Sequence, residues 1–175
     1  MSKTILITGA SAGIGYHLAK AFARRGYHLA LAARRLEPLA ALKAEIQQAH
    51  PELKVEIAAL DVAQLDTVAP AVEAFAAQFG GLDIVVANAG VGDGGGMIGT
   101  GGFARDAAAI QINVLGAMAT LDAAIAVFRR QKRGQVVAVA SVAAARGLPG
   151  AGAYSTSKAA IAMYADTARS ELHGS

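Results

Sequence analysis

Apolar residues along this chain fall into two alternating patterns. Short runs rich in Val, Ile, Leu and Ala occupy Thr4–Thr8, His28–Ala33, 55–60, 82–87 and 135–141. Between them lie longer Ala- and Leu-rich stretches with helical spacing: 14–25, 36–49, 65–79, 103–132 and 154–172. Runs such as ILIT, IVVA and VVAVA are nearly continuous in apolar side chains, as strands buried on both faces require. Strands alternating with helices predict βαβ units and a parallel sheet covered on both faces. Right-handed crossovers make this a doubly wound, Rossmann-like α/β fold, with its crevice at the carboxyl ends of the strands. Within 103–132, Ala107, Gln111, Val114, Met118, Leu121, Ile125 and Phe128 form a seam at alternating spacings of four and three. Such a stripe reads as a core or subunit face. The glycine-biased stretch 90–102, GVGDGGGMIGTGG, reads as a mobile loop, because strands continue beyond it.

Composition narrows the class. A chain of 175 residues is one domain, 1–175, able to bury roughly 70% of its unfolded surface. With 54% hydrophobic and 17% charged residues, it is not disordered. No run of about 18 uninterrupted apolar residues is present, so no membrane span is expected. The apolar run in MSKTILITGA is too short for a secretory signal. Cysteine is absent, which excludes disulfides, thiolate metal sites and a cysteine nucleophile. A cytoplasmic location is therefore expected. The net charge of +3 and pI of about 9.4 raise the question of nucleic acid. The basic residues, however, come as pairs (Arg24-Arg25, Arg34-Arg35) and one cluster at a predicted helix end, Arg129, Arg130, Lys132 and Arg133. Cations suit that end of the helix dipole, and with 5% aromatics there is no stacking platform. No nucleic-acid partner is expected. His17, His28, His50 and His173 show no metal-ligand spacing with carboxylates and read as surface or helix residues, so no metal site is expected. Asp83, at the start of the fourth strand, reads as a structural anchor.

The candidate chemistry begins where the first strand ends, in Thr8-Gly9-Ala10-Ser11-Ala12-Gly13-Ile14-Gly15. Glycines at 9, 13 and 15 let the backbone turn sharply and approach a ligand. The N–H groups and dipole at the following helix start favour a pyrophosphate. Tyr154 and Lys158 are four apart on a predicted helix and share a face. A phenol is a poor proton shuttle at neutral pH, but an ammonium beside it favours the phenolate. Such a pair can exchange a proton with a substrate oxygen. Ser141, at the carboxyl end of the fifth strand, can donate to a developing alkoxide. Asn113 lies inside a helix, where Asn has poor propensity, and a bulge with a bound water is a physical motive for it. Taken singly, Tyr154 is also an ordinary amphipathic side chain, Lys158 a solvated cation and Ser141 a capping residue. Their joint occurrence behind the glycine turn is what points to catalysis.

The spacing G-x-x-x-G-x-G in TGASAGIG resembles the fingerprint of the short-chain dehydrogenase/reductase family, in its common rather than extended form. The resemblance covers essentially the whole chain. Asp61-Val62 follows the third strand, where the family holds the adenine. Asn88-Ala89-Gly90 follows the fourth strand and matches most of the family's N-N-A-G, with Ala87 in place of the first Asn. Asn113, Ser141 and Tyr154-x-x-x-Lys158 complete the set. By resemblance, Gly9, Ser11, Gly13, Ile14, Gly15, Asp61, Val62, Asn88, Ala89, Gly90, Asn113, Tyr154 and Lys158 bind the cofactor. Lys158 would hold the nicotinamide ribose hydroxyls, and Asn113 a water in the proton path. The implied activity is hydride transfer between a nicotinamide cofactor and an alcohol/carbonyl pair, with Tyr154 as acid/base, Ser141 polarising the oxygen and Lys158 tuning Tyr154.

The second strand ends in Leu31-Ala32-Ala33-Arg34-Arg35, with no carboxylate before Glu37. An NAD site needs an acid there for the ribose hydroxyls, whereas arginine matches phosphate geometry. NADP(H) is therefore favoured through Arg34 and Arg35, with NAD(H) possible. Ala12 stands where some NADP-binding members carry a second basic residue. Family members run to about 250 residues, and the sixth and seventh strands, a Pro-Gly motif and a substrate lid have no counterpart here. The chain is thus expected to be C-terminally incomplete after the Tyr154 helix, with the fifth strand as an apolar edge. The substrate is a small alcohol or carbonyl compound whose class, whether steroid, sugar, acyl thioester or simple ketone, is left open. A homodimer or homotetramer follows from the family alone. The alternatives are a non-catalytic dinucleotide-binding or assembly module, which has no need of a phenol–ammonium pair, and an extended-branch sugar epimerase, disfavoured by glycine spacing and length.

Overall fold

The computed structural model describes residues 2–92 and 96–172. Its strands are β1 (Thr4–Thr8), β2 (His28–Ala33), β3 (Val55–Ala59), β4 (Ile84–Ala87) and β5 (Gln135–Ala138). Its helices are α1 (Gly13–Ala23), α2 (Leu36–Ala49), α3 (Leu65–Phe79), α4 (Phe103–Ile110), α5 (Ala117–Gln131) and α6 (Gly152–Leu172). The strands form one parallel sheet in the order β3-β2-β1-β4-β5. The chain leaves β3 at one edge and re-enters beside β1, so the order reverses between β1 and β4. A crevice opens at such a reversal, at the carboxyl ends of the strands.

The continuous apolar strands are explained by burial on both faces. Ile5 and Ile7 of β1 pack with Leu39, Leu42 and Ile46 of α2 and Ala19 and Ala23 of α1. Leu6 points the other way, into a cluster with Val68, Val72 and Phe75 of α3 and Ala124 and Val127 of α5. Each fully buried Leu or Ile contributes roughly 1.5–3 kcal/mol, so this two-sided filling fixes the register. Helix α6 joins a smaller cluster through Ile161, with Ala87, Ala117 and Leu121.

Two strands are shorter than their apolar runs. Leu82, ahead of β4, is held instead by Gln131, which accepts from its N–H at 3.0 Å and donates to its carbonyl at 2.8 Å. Asp83 ties β4 to β1: its carboxylate accepts the Thr4 N–H at 2.8 Å and its own N–H donates to the Thr4 carbonyl. This is the anchoring role read from the sequence. Beyond β5 the chain turns at Ser141, which caps the short helical turn Val142–Ala144.

Between α4 and α5 the helix widens into a π-helical segment, Gln111–Gly116. It contains Asn113, the poor helix former that predicted a bulge. The bulge also corrects the expected seam. Of its members only Leu121 and Phe128 are buried, while Ala107 is exposed. The buried stripe runs through Ala109, Asn113, Gly116, Ala117, Thr120, Leu121, Ala124 and Val127. A π-turn inserts extra backbone and rotates the phase of every position after it. The stretch Phe103–Gln131, 29 residues at mean hydropathy 1.6, is long and apolar enough to cross a membrane, and half of it is buried inside the fold.

Candidate active site

The site is built where β1 and β4 end side by side. The Thr8 hydroxyl accepts the N–H groups of Asn88 and Ala89 at 3.1 and 3.2 Å. The Asn88 amide donates back to the carbonyls of Thr8 and Gly9 at 2.9 and 3.2 Å. These bonds set the floor of the glycine turn. Gly9 has φ +68°, and a Cβ there would lie 2.7 Å from the Ala89 Cα. Gly15 is buried behind the turn, where a Cβ would press on the Gly9 carbonyl and lie 2.6 Å from the Asn88 amide nitrogen. Gly13 also has positive φ, +56°, but nothing lies within 4 Å of a Cβ there. It faces open space.

A cleft of about 500 Å³ runs from this turn in two directions. One end is lined by Arg34, Arg35, Asp61 and Val62. Both arginines are exposed, and among the described residues neither makes an ion pair. Asp61 accepts the Ala63 N–H at 3.1 Å, fixing the loop after β3. Gly116 is packed so closely on Val62 that a Cβ would sit 2.7 Å from the Val62 carbonyl. The other end passes Asn88, Ala89 and Gly90 and reaches Tyr154 and Lys158.

The residues of the cleft fit a dinucleotide. Helix α1 begins without a side-chain cap and without an acidic residue in its first turn. Its orphan N–H groups and dipole favour an anion. Open space at Gly13 leaves room for that anion beside them, and two unpaired guanidinium groups stand at the end of β2.

At the catalytic end, α6 presents Tyr154 and Lys158 on one face, with the Lys158 ammonium 5.8 Å from the Tyr154 ring centre. Lys158 is 7% exposed, and its ammonium donates to the Val139 carbonyl at 2.8 Å. Burial pushes its pKa down from the ordinary lysine value. The Ser141 oxygen accepts the Ala143 N–H at 3.2 Å. That uses a lone pair and not the hydroxyl proton. Asn113, 1% exposed, accepts the Val91 N–H at 2.8 Å and donates to the Val91 carbonyl at 2.9 Å and the Ser157 hydroxyl at 3.1 Å. A Cβ on Gly90 would lie 3.1 Å from the Asn113 carbonyl oxygen and 3.6 Å from the Lys158 nitrogen. A side chain at 90 would crowd both.

The sequence-predicted residues therefore divide. Gly9, Ser11, Gly13, Ile14, Arg34, Arg35, Asp61, Val62, Asn88, Ala89, Gly90, Tyr154 and Lys158 line the cleft. Gly15 and Asn113 are buried behind it, and Ser141 lies at the end of β5 outside its lining. Ser155 and Ser157, buried beside Tyr154, were missed. Their only signal was three hydroxyl residues, Ser155, Thr156 and Ser157, between the phenol and the ammonium. Among the described residues no three acidic or histidine side chains gather as a metal site. His28 accepts the Lys54 N–H through Nδ1, and His173 lies outside the described residues, as does the middle of the 90–102 loop.

Comparison with known proteins agrees with this geometry. Residues 3–175 match the family model described as short chain dehydrogenase. The chain belongs to the short-chain dehydrogenase family. An uncharacterized oxidoreductase of Mycobacterium tuberculosis is 38% identical over 168 residues, covering 95% of this chain and 66% of that protein. One from Myxococcus xanthus is 43% identical over 177 residues, covering 98% of this chain and 67% of the other. This chain thus spans about two thirds of the length of these relatives. Among solved structures, an alcohol dehydrogenase of Thermococcus sibiricus complexed with 5-hydroxy-NADP matches with a TM-score of 0.92 at 33% identity, covering 98% and 72% of the two chains. An NAD+-bound xylitol dehydrogenase matches with a TM-score of 0.93 at 30% identity, covering 98% and 65%. The short-chain dehydrogenase fold is Rossmann-like, and its members here bind both forms of the nicotinamide dinucleotide.

Proposed function

We propose that this short-chain dehydrogenase interconverts an alcohol and a carbonyl compound with NADP(H) in preference to NAD(H). The observation that carries the reading is one continuous cleft with unpaired guanidinium groups at one end and a phenol–ammonium pair at the other. The glycine turn and the uncapped start of α1 would take the pyrophosphate, Asp61 and Val62 the adenine, and Arg34 with Arg35 the 2′-phosphate. When bound, the nicotinamide supplies or accepts the hydride.

The chain's own residues supply the proton and the orientation. Tyr154 gives its phenolic proton to the carbonyl oxygen in reduction and takes it back in oxidation. The buried Lys158 ammonium, anchored on the Val139 carbonyl, is best solvated when the phenolate is beside it, so it supports the proton-poor state of Tyr154. The Ser141 hydroxyl proton is directed to the same oxygen, where negative charge develops. NADPH and NADH titrations, followed by fluorescence, test the first half of the reading. Oxidation of NADPH with a panel of ketones and aldehydes tests the second. Tighter binding of NADPH and turnover of at least one carbonyl are expected. Binding of neither cofactor would overturn the proposal.

A further inference from the structure

We infer that Ser157 is a positioning residue for Tyr154, linking the catalytic helix to the loop after β4 through Asn113. This rests on the activity proposed above. Ser157 is fully buried. Its hydroxyl donates to the Tyr154 carbonyl at 2.7 Å and accepts from the Asn113 amide at 3.1 Å. The Asn113 amide in turn grips both the N–H and the carbonyl of Val91, directly after the cofactor-lining Asn88–Gly90. One buried relay therefore runs Val91, Asn113, Ser157, Tyr154. The direction of each bond is set: Val91 holds the amide nitrogen of Asn113 toward its own carbonyl and Ser157, so the Ser157 proton goes to Tyr154.

Helix α6 needs such a tie. Tyr154 lies in its first turn, at the end where a helix frays most readily. The preceding loop joins the rest of the site through a single main-chain contact, Gly96 N–H to Gly150 carbonyl at 3.1 Å. Lys158 is fixed separately, on the Val139 carbonyl after β5. The phenol and the ammonium are thus held from two different strand ends, and Ser157 holds the phenol's side. Loss of that bond lets the first turn of α6 shift while Lys158 stays. A displacement of about 1 Å at reacting groups can cost on the order of a hundredfold in rate.

The test uses Ser157→Ala, Ser157→Thr, Asn113→Ala and the Asn113→Ala/Ser157→Ala double variant in the intact protein. Amide exchange is measured first, without cofactor. In Ser157→Ala the amides at 153–157 are expected to exchange roughly fivefold faster, the equivalent of one ordinary hydrogen bond, while those of β1 and β4 keep their protection. Asn113→Ala should produce the same local change, and the double variant no more than either alone. Where turnover is present, Ser157→Ala should lower kcat by roughly ten- to a hundredfold, move the pH limb of kcat to higher pH and leave NADPH affinity within about twofold. Ser157→Thr should restore kcat. Unchanged exchange at 153–157, multiplying effects in the double variant, or a general loss of protection with kcat intact would each overturn the inference. A wild type without cofactor-linked turnover would refute the proposed activity instead, and the exchange data would still decide the relay.

Discussion

Gly9 and Gly13 form a matched pair, because both have positive φ in one turn and only one is enclosed. Replacing either by Ala forces an L side chain into the left-handed region, at roughly 1–2 kcal/mol. At Gly9 the new methyl also lies 2.7 Å from the Ala89 Cα, and that neighbour is backbone held by the Thr8 hydroxyl. Such overpacking adds typically about 1–3 kcal/mol. Gly9→Ala should therefore cost about 2–5 kcal/mol, a large part of a typical stability of roughly 5–15 kcal/mol. At Gly13 nothing lies within 4 Å of the methyl, so only the conformational cost of about 1–2 kcal/mol applies. At roughly 2–4 °C per kcal/mol for a domain of this size, Gly13→Ala should melt a few degrees lower and Gly9→Ala on the order of 10 °C lower. Thermal unfolding followed by circular dichroism measures both. Affinity should reverse the order of damage per degree lost: Gly13→Ala remains folded but places its methyl in the cleft, so NADPH binding weakens out of proportion to its stability. Equal melting losses for the two variants would refute the reasoning, because the turn would then not rest on the contact between Gly9 and Ala89.

Three further outcomes are expected. Tyr154→Phe should keep cofactor affinity and lose on the order of 10²–10⁴-fold in turnover, the worth of a general acid–base catalyst, and turnover within a few-fold of wild type would remove Tyr154 from that role. Arg34→Ala should cost roughly one to two decades in NADPH affinity, since a charge-assisted hydrogen bond contributes about 1.5–3 kcal/mol, and leave NADH affinity nearly unchanged; equal losses would mean that Arg34 does not read the 2′-phosphate. Lys158→Met should raise the melting temperature of the cofactor-free protein at neutral pH while abolishing turnover. The folded-state pKa of Lys158 lies below the ordinary 10.5, so the unfolded chain holds that proton more tightly. The resulting penalty is complete below the folded-state value and fades as pH climbs from there toward 10.5. The melting advantage of the Met variant should shrink over that window, and a constant advantage would contradict burial of the charge.

The parts of this fold that were legible in the sequence are those that local chemistry decides. A strand buried on both faces must be apolar at every position, and Thr4–Thr8 and His28–Ala33 have the limits their composition indicates. A turn that needs positive φ declares itself by glycine, as at Gly9 and Gly13. Limits set from far away were less visible. The start of β4 is fixed by Gln131, 49 residues on, and nothing in the Leu82 neighbourhood announces it. The seam of the long helix was misplaced because a π-turn has no strong residue signature of its own. Asn113 hinted at a bulge but gave no count of how far the phase would rotate.

The same distinction holds inside the site. The residue types that could do chemistry were visible because catalysis needs particular functional groups: a phenol, an ammonium, a hydroxyl, a guanidinium. What holds those groups is generic hydrogen bonding, and it was hidden for that reason. Asn88 reads by resemblance as a cofactor residue, yet both of its hydrogen bonds to carbonyls go to Thr8 and Gly9, so its amide builds the turn that faces the cleft. Asn113 reads as the holder of a water, yet its two N–H donors are engaged by Val91 and Ser157, leaving only a lone pair on its carbonyl oxygen, on the side of Gly90 and Lys158. Any water there must accept its place from that lone pair and the Lys158 ammonium. This gives Gly90 a physical reason beyond turn geometry: the space that a Cβ would fill, 3.1 Å from Asn113 and 3.6 Å from Lys158, lies against the two groups that a water in the proton path would have to touch.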